Sequence, residues 1–268
     1  MAKHFKKLQV LDGTPGRSGR ADKIAARFPE PLVSSAPRQD VVAVIPAYQC
    51  AVTIGEVVEG VLRHLARVVV VDDGSTDGTG GVAADAGALV VRNRRNRGKG
   101  HALRRGFETV LAERRAGVAP ITAVAMLDGD GQHDPEDLAV LLAAWDTRDY
   151  DLVVGGRLKD RALIPPHRYW TNTIGTKLLS WVTGVELEDS QSGYRLVAAD
   201  LLDRMRLESN GYAIESEMLI KAARRGARLG QVRIKTIYHD RVPSFYRPVR
   251  DTVAITLASA YHRLFDRV

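Results

Sequence analysis

The chain has 268 residues, 45% of them hydrophobic and 26% charged, which is enough to bury a core of ordinary globular composition. Its formal net charge of +7 favours anionic partners such as nucleic acid, phosphorylated substrates or an acidic membrane face. The single cysteine, Cys50, excludes a disulfide within the chain and is expected to be a small core residue. No apolar run approaches the roughly 20 residues that cross a bilayer, and no secretory signal is recognisable. We therefore expect a cytoplasmic protein that can still lie on the inner face of the membrane.

Predicted elements alternate along most of the chain. Residues 1–39 are rich in Gly, Pro, Ser, Lys and Arg and are predicted to form a flexible basic arm with one short helix near 23–28. Short apolar runs predict strands at 41–45, 67–71, 88–91, 121–127, 151–154 and 228–237. Helical patterns are found at 53–65, from 76, at 99–116, from 134, at 166–184, at 211–226 and at 250–265. The alternation indicates an α/β fold, a Rossmann-like and mostly parallel sheet with helices on both faces.

Two of the predicted helices begin with capping signals. Thr53 to Glu56 has the spacing of a capping box. Asp134 precedes Pro135, an arrangement typical of an N-cap followed by the first helical position.

Polar motifs follow four of the predicted strands at their carboxyl ends, which is where parallel sheets bind ligands. They are Pro46-Ala47-Tyr48, Asp72-Asp73-Gly74-Ser75, Asp128-Gly129-Asp130 and Gly155-Gly156-Arg157. We expect these motifs to meet in one crevice.

Asp128 and Asp130 are predicted to hold a divalent cation. Two carboxylates on one tight turn repel each other unless a cation lies between them, and oxygen ligands suit Mg²⁺ or Mn²⁺. Gln132 offers a further oxygen. A role limited to helix capping is less favoured, because Asp134 already supplies the cap.

Other motifs have both functional and structural interpretations. Asp72 and Asp73 can accept hydrogen bonds from a nucleobase or ribose, or form an ordinary Asp-Gly turn. The segment 96–100 brings glycine amides and Lys99 to a helix start, where they can bind a phosphate or form a solvated basic turn.

The second half of the chain adds carboxylates and arginines. Asp189 and the pair at 215 and 217 can act as general bases, or can pair with Arg195 or Lys177. Arg157 and Arg168 can clamp a phosphate through their guanidinium groups.

Five motifs occur in order: Pro46-Ala-Tyr48, Val71-Asp-Asp-Gly-Ser-Thr-Asp77, Asn96-Arg-Gly-Lys-Gly100, Asp128-Gly-Asp-Gly-Gln-His133 and Ser192-Gly-Tyr-Arg195. Together they resemble family 2 glycosyltransferases, especially the branch of dolichol-phosphate mannosyltransferase and bacterial polyprenyl-phosphate glycosyltransferases. The resemblance covers about residues 41–237. It implies a GT-A catalytic domain at 40–240, with a nucleotide-binding half at 40–157 and an acceptor half at 158–240, followed by an amphipathic helix within 241–268.

The resemblance implies a metal-dependent, inverting transfer from a UDP- or GDP-sugar, with Mg²⁺ or Mn²⁺ on Asp128, Asp130 and Gln132. The donor-binding set is then Pro46, Ala47, Tyr48, Asp72, Asp73, Lys99, Asp128, Gly129 and Asp130. Arg157 and Arg168 match arginines that hold the acceptor phosphate in the lipid-phosphate branch.

The expected acceptor is a polyprenyl phosphate, which is already ionised and needs no general base. A soluble hydroxyl acceptor would need one, and Asp189 is the candidate. The chain departs from the family at Cys50, where a glutamate is frequent, and it lacks the C-terminal membrane helices of many lipid-phosphate members. Its basic arm and last helix can instead contact anionic lipid, although the helix can equally pack on the domain.

Rival functions fit the sequence less well. A sugar nucleotidyltransferase would carry a Gly-rich signature with Arg and Lys near the first strand, which Pro46-Ala-Tyr-Gln-Cys50 does not match. A retaining transferase of the same fold would differ in product stereochemistry. A nucleic-acid-binding module is disfavoured because aromatic residues make up only 6% and the basic residues are dispersed. A catalytically inactive scaffold is disfavoured because the aspartates are intact. A homo-oligomer is left open.

Overall fold

The computed structural model describes residues 10–11, 36–157, 176, 179–180, 189–235 and 237. The predictions for the helix near 23–28, for most of the helix at 166–184, for the C-terminal helix and for Arg168 lie outside these residues. Among the helices described, none is long and apolar enough to span a bilayer.

Within the described residues, eight strands form one sheet in the order β1-β8-β6-β7-β5-β2-β3-β4. The strands are β1 (Val10–Leu11), β2 (Arg38–Ala47), β3 (Leu65–Asp72), β4 (Leu89–Arg92), β5 (Ala123–Met126), β6 (Leu152–Arg157), β7 (Arg195–Ala198) and β8 (Leu229–Ile234). The helices are α1 (Ile54–Leu62), α2 (Thr79–Asp85), α3 (Lys99–Arg115), α4 (Leu138–Asp146), α5 (Ala199–Arg204) and α6 (Ala213–Arg224), and a 3-10 turn at Pro135–Asp137 leads into α4. The mostly parallel α/β sheet that the sequence predicts is confirmed.

Both faces of the sheet are buried, as the continuous apolar runs require. In β2, Val42 and Val44 pack with the side chains of α3, α5 and α6, whereas Val41, Ala43 and Ile45 pack with those of α1 and α4. All five side chains are fully buried. Each such valine or isoleucine contributes roughly 1.5–3 kcal/mol by leaving water, so β2 is the centre of the core.

Strand β7 runs antiparallel to both of its neighbours, β5 and β6, and the sequence predicts neither it nor helix α5. The strand has four residues, and it begins with Arg195, a charged residue that is fully buried here. The arm also contains structure, because Val10 and Leu11 pair in parallel with β8 at Gln231 and Val232.

The two helix-start predictions have different outcomes. Asp134 accepts a hydrogen bond from the backbone N–H of Glu136 at 3.0 Å with Pro135 in the first turn, so this cap is confirmed. The capping box at Thr53 is wrong. The Thr53 hydroxyl instead donates to the Gly129 carbonyl at 2.8 Å, which ties the start of α1 to the Asp-Gly-Asp turn.

Asp137 joins the start of α4 to the end of β8, because its carboxylate accepts the backbone N–H of Lys235 at 2.8 Å. Burial raises the pKa of Asp137 to about 6, which outweighs the opposing effect of that hydrogen bond. The folded state therefore holds a proton that the unfolded state has lost, and the free energy of unfolding falls as the pH rises from about 4 to about 6.

We expect Asp137→Asn to remove this decline, because asparagine keeps an acceptor for Lys235 without a titrating charge. At pH 7 the variant should be more stable than the parent, by clearly less than the roughly 3 kcal/mol that two pKa units represent, because solvent screens part of the effect at a carboxyl that is not fully enclosed. Urea unfolding at pH 4, 5.5 and 7 measures it, with the exposed Asp149→Asn as the control. A parallel pH dependence in the Asp137 variant and the parent would contradict the assignment.

Candidate active site

The predicted crevice lies at the carboxyl edge of the sheet. Ala47 at the end of β2 pairs with Asp72 of β3, which in turn pairs with Arg92 at the end of β4. Asp128 follows two residues after β5, the neighbour of β2 on the other side. The motifs after β2, β3 and β5 therefore meet at one edge, as the sequence predicts.

Lys99, in the first turn of α3, is the centre of the site. Its ammonium lies 2.6 Å from Asp128 Oδ1 and 2.5 Å from Glu215 Oε1. Glu215 lies in the first turn of α6. Burial by itself lowers the pKa of Lys99, but the charges of the two carboxylates outweigh it and raise the pKa well above its ordinary value. Lys99 is therefore a permanent cation between two carboxylates.

Gly193 marks the point where these side chains converge. A Cβ atom on Gly193 would lie 2.8 Å from Asp128 Oδ2, 2.9 Å from Lys99 Nζ and 3.2 Å from Glu215 Oε1. A side chain at this position would displace the ends of all three groups. Four separate chain segments thus build one polar cluster, which we call the Lys99 cluster (Lys99, Asp128, Gly193 and Glu215).

The Asp128-Gly129-Asp130 turn is held by two hydrogen bonds, one to the Asp130 carboxylate and one to the Gly129 carbonyl. Asp130 Oδ1 accepts the backbone N–H of Gln132 at 3.0 Å, in addition to the bond from Thr53 to Gly129. A Cβ on Gly129 would lie 2.9 Å from Ile54 Cδ1, so glycine lets the turn pack closely on α1. The turn presents its two carboxylates from a fixed backbone.

The two aspartates after β3 have different surroundings. Asp73 accepts hydrogen bonds from the Asn93 amide at 2.6 Å and from the backbone N–H groups of Arg97 and Gly98 at 2.9 and 2.8 Å. Its carboxylate therefore holds the turn before α3. The sequence predicts instead that Asp73 contacts a ligand.

Asp72 is also buried, and one of its oxygens accepts the backbone N–H of Ser75 at 2.8 Å. The other, Oδ2, lies 3.3 Å from Arg92 Nε but accepts no hydrogen bond from any residue that the structure describes. A Cβ on Gly80 would lie 2.8 Å from this oxygen. An acceptor of this kind suits a ligand N–H or O–H group.

Arg195 holds backbone segments around the site and does not pair with the carboxylates of α6. Its guanidinium donates to the backbone carbonyls of Ser190, Ser192 and Glu215 at 2.9, 2.9 and 2.6 Å, and burial lowers its pKa. The Glu215 carboxylate binds Lys99 instead. Asp189 is buried in the same turn and accepts the backbone N–H of Gln191 at 3.0 Å.

The remaining predicted residues are placed in part. Pro46 and Ala47 end β2, and Tyr48 follows them beside the end of β3. Burial raises the pKa of the Cys50 thiol to about 12, in line with the prediction of a core residue. Arg157 ends β6 and is paired with Ile234 through its backbone, while Lys177 lies outside the described residues.

The donor set suits a cation that takes only part of its ligands from the protein. In the part of the chain that the structure describes, no group of three or more His, Cys, Asp or Glu side chains is arranged to hold a metal ion by itself. Asp128 and Asp130 bring two carboxylates to one turn, which fits Mg²⁺ or Mn²⁺ with its other positions filled by water and phosphate.

The fold is that of GT-A glycosyltransferases. Glucosyl-3-phosphoglycerate synthase from Mycobacterium tuberculosis matches with a TM-score of 0.69 and 20% identity, over 96% of this chain and 87% of that chain. A structure of the same synthase with Mn²⁺, uridine-diphosphate and phosphoglyceric acid matches with a TM-score of 0.64 and 21% identity, over 86% of this chain and 80% of that chain.

Residues 42–184 match the family described as "Glycosyl transferase family 2", and the chain belongs to this family. Undecaprenyl-phosphate mannosyltransferase of Micrococcus luteus is 33% identical over 214 residues, 72% of this chain and 82% of that protein. Glycosyltransferase AglJ of Haloferax volcanii is 35% identical over 221 residues, 80% of this chain and 66% of that protein. The resemblance stated from the motifs is confirmed, and the chain is a glycosyltransferase.

Proposed function

We propose that the protein is an inverting glycosyltransferase that moves a sugar from a UDP- or GDP-sugar to a polyprenyl phosphate. The observation that carries the proposal is the Lys99 cluster, where a partly buried cation and the Asp-Gly-Asp turn meet at the carboxyl edge of the sheet. Two relatives named as transferases to undecaprenyl phosphate and dolichyl phosphate, and one named polyprenol monophosphomannose synthase, support the acceptor.

The donor would lie across the ends of β2, β3 and β5. Pro46, Ala47 and Tyr48 would form one wall for the nucleoside, and Asp72 would accept from it through Oδ2, which lies beside Arg92 but accepts no hydrogen bond from a described residue. Asp73 and Gly129 would act indirectly, Asp73 by holding the turn before Lys99 and Gly129 by seating the Asp-Gly-Asp turn on α1.

Asp128 and Asp130, with Gln132, would hold Mg²⁺ or Mn²⁺. Bound there, the cation would neutralise charge on the diphosphate leaving group. Lys99 would add a second positive charge, because its ammonium is fixed between Asp128 and Glu215. A preorganised cation of this kind stabilises the charge that develops as the leaving group departs.

The acceptor phosphate would attack the anomeric carbon from the face opposite the diphosphate, forming a new C–O bond while the bond to the donor phosphate breaks. The phosphate is already ionised, so no proton has to be removed, and Arg157 and Arg168 would align it. A soluble hydroxyl acceptor is the alternative, and Asp189 is favoured as the base in that case because it lies in the buried turn that leads to Gly193.

Contact with an anionic membrane would bring the enzyme to such an acceptor. Between Arg92 and Arg105 the chain carries seven Lys and Arg residues and no acidic residue. Five of the arginines, at 92, 94, 95, 97 and 105, are exposed. Such a cluster attracts anionic lipid, and a location at the inner face of the membrane stays a prediction.

The test is transfer from a panel of UDP- and GDP-sugars with Mn²⁺, Mg²⁺ or EDTA, with and without a short polyprenyl phosphate. We expect metal-dependent turnover of one donor only when the lipid phosphate is present, with inversion at the anomeric carbon. Turnover with a soluble sugar alcohol and none with the lipid would overturn the acceptor and direct the next test to Asp189→Asn. Retention of configuration would overturn the mechanism.

A further inference from the structure

Helix α6 carries a second buried carboxylate, Glu217, that the proposed chemistry does not use. Glu217 is fully buried, and its two oxygens accept the backbone N–H groups of Glu208 and Ser209 at 2.8 and 2.9 Å. Lys221, one turn later in α6, lies 2.8 Å from Glu217 and also donates to the Arg206 carbonyl. A buried ion pair adds little to stability by itself, whereas the two hydrogen bonds that Glu217 accepts hold the backbone at residues 208 and 209.

The segment held in this way, Glu208–Asn210, lies directly on the start of α3. The Asn210 carbonyl accepts the backbone N–H of His101 at 3.2 Å, and the Asn210 side chain accepts from Arg104. A Cβ on Gly98 would lie 2.5 Å from the Asn210 oxygen, and one on Gly100 would overlap the Ser209 oxygen. The two backbones are therefore in contact on both sides of Lys99.

This contact gives the glycines at 98 and 100 a different role from the predicted phosphate cradle. Asp73 already accepts the backbone N–H groups of Arg97 and Gly98, and Asn210 accepts that of His101. These amides are satisfied within the chain. The glycines are needed because the segment 208–210 packs against the backbone of α3.

We infer that Glu217 is a positioning residue, which with Lys221 holds the segment Glu208–Asn210 against the start of α3 and so sets the position of Lys99. Helix α6 therefore affects Lys99 in two ways. Glu215 binds the Lys99 ammonium, and Glu217 holds the segment Glu208–Asn210 against which the start of α3 packs. The consequence for donor binding rests on the proposed function, whereas the contact itself does not.

The experiment compares Glu217→Gln and Gly100→Ala with Gly211→Ala. Alanine at position 100 improves the helix propensity of α3, so a loss there points to the clash with Ser209. Gly211 follows the segment and is the matched control, because a Cβ added to it would meet no heavy atom within 4 Å and its φ is not left-handed. Two quantities are measured: binding of UDP and GDP with Mn²⁺ by calorimetry, and amide hydrogen exchange at residues 98–103 and 208–210.

We expect both test variants to weaken binding of the nucleoside diphosphate by about 10- to 100-fold, as small displacements of a positioned group do, and to speed exchange in both segments. Gly211→Ala should match the parent. In a Lys99→Met background, Glu217→Gln should cost little further affinity, because residues that act through one another are not additive.

Unchanged exchange in Glu217→Gln, or equal behaviour of the two glycine variants, would overturn the inference. Faster exchange with full additivity of Glu217→Gln and Lys99→Met would overturn the positioning role. If the parent binds neither nucleotide, the proposed function fails, and the exchange data still decide whether Glu217 holds the start of α3.

Discussion

Replacing Asp128 or Asp130 by asparagine is expected to lower sugar transfer by at least about 100-fold and to leave the fold intact. The carboxylates would hold the cation that offsets leaving-group charge, a contribution of several kcal/mol, and each 1.4 kcal/mol is tenfold in rate. Asparagine keeps the shape of both side chains, and at position 130 it keeps an acceptor for the Gln132 amide. Initial rates at saturating donor, with Mn²⁺ titrated from zero, measure the effect.

Asp134→Asn is the matched control, because Asp134 accepts the amide two residues later just as Asp130 does. The substitution removes one negative charge four residues away, and asparagine is an equally good N-cap. The control should keep the parent rate and metal dependence. Near-normal transfer by either asparagine variant of the turn, or an equal loss in the control, would contradict the metal assignment.

Replacing Lys99 by methionine is expected to have two effects of opposite direction on metal binding and transfer. Transfer should fall by roughly 100-fold, because a preorganised cation near the leaving group is lost. Stabilisation of the fold by Mn²⁺ should increase, because Asp128 and Glu215 are left without the ammonium that now lies between them. Breaking a fully buried pair costs about 3–5 kcal/mol, and the loss here should be smaller because the Lys99 and Asp128 side chains are partly exposed. A bound cation can recover part of this loss.

Thermal unfolding in EDTA and in Mn²⁺ measures the second effect. The difference between the two melting temperatures should be larger for the Lys99 variant than for the parent, and equal to the parent for the exposed Lys235→Met. An unchanged difference would show that Lys99 and the cation do not share the Asp128 carboxylate. The fall in transfer rate would then still measure the contribution of the Lys99 cation to transfer.

Local patterns were sufficient for most of the strands and helices before α5. The run at 41–45 lies in the strand Arg38–Ala47, and the helix predicted at 99–116 is Lys99–Arg115, because apolar periodicity and burial agree there. The motifs after β2, β3 and β5 lie at one edge for a similar reason, since parallel strands bring their carboxyl ends together. Sequence also identified the family, through five short motifs in order.

Contacts between distant segments had no local signal. Lys99 meets Glu215 across a sequence separation of 116, and three side chains from elsewhere in the chain converge on Gly193. Strand β7 was missed because a buried arginine at its start interrupts the apolar pattern. Arg195 is tolerated only because three backbone carbonyls, brought together by the fold, accept its hydrogen bonds.

The sequence by itself determined the α/β architecture, the family and the edge of the sheet where the donor would bind. The tertiary structure decided what each polar residue does at that edge. It assigned Asp73 to the turn before α3 and the Thr53 hydroxyl to the Asp-Gly-Asp turn, and it placed Glu215 on Lys99. The physical reason is that periodicity reports which side chains leave water, whereas the partner of a buried polar group depends on which distant segments the fold brings within hydrogen-bond distance.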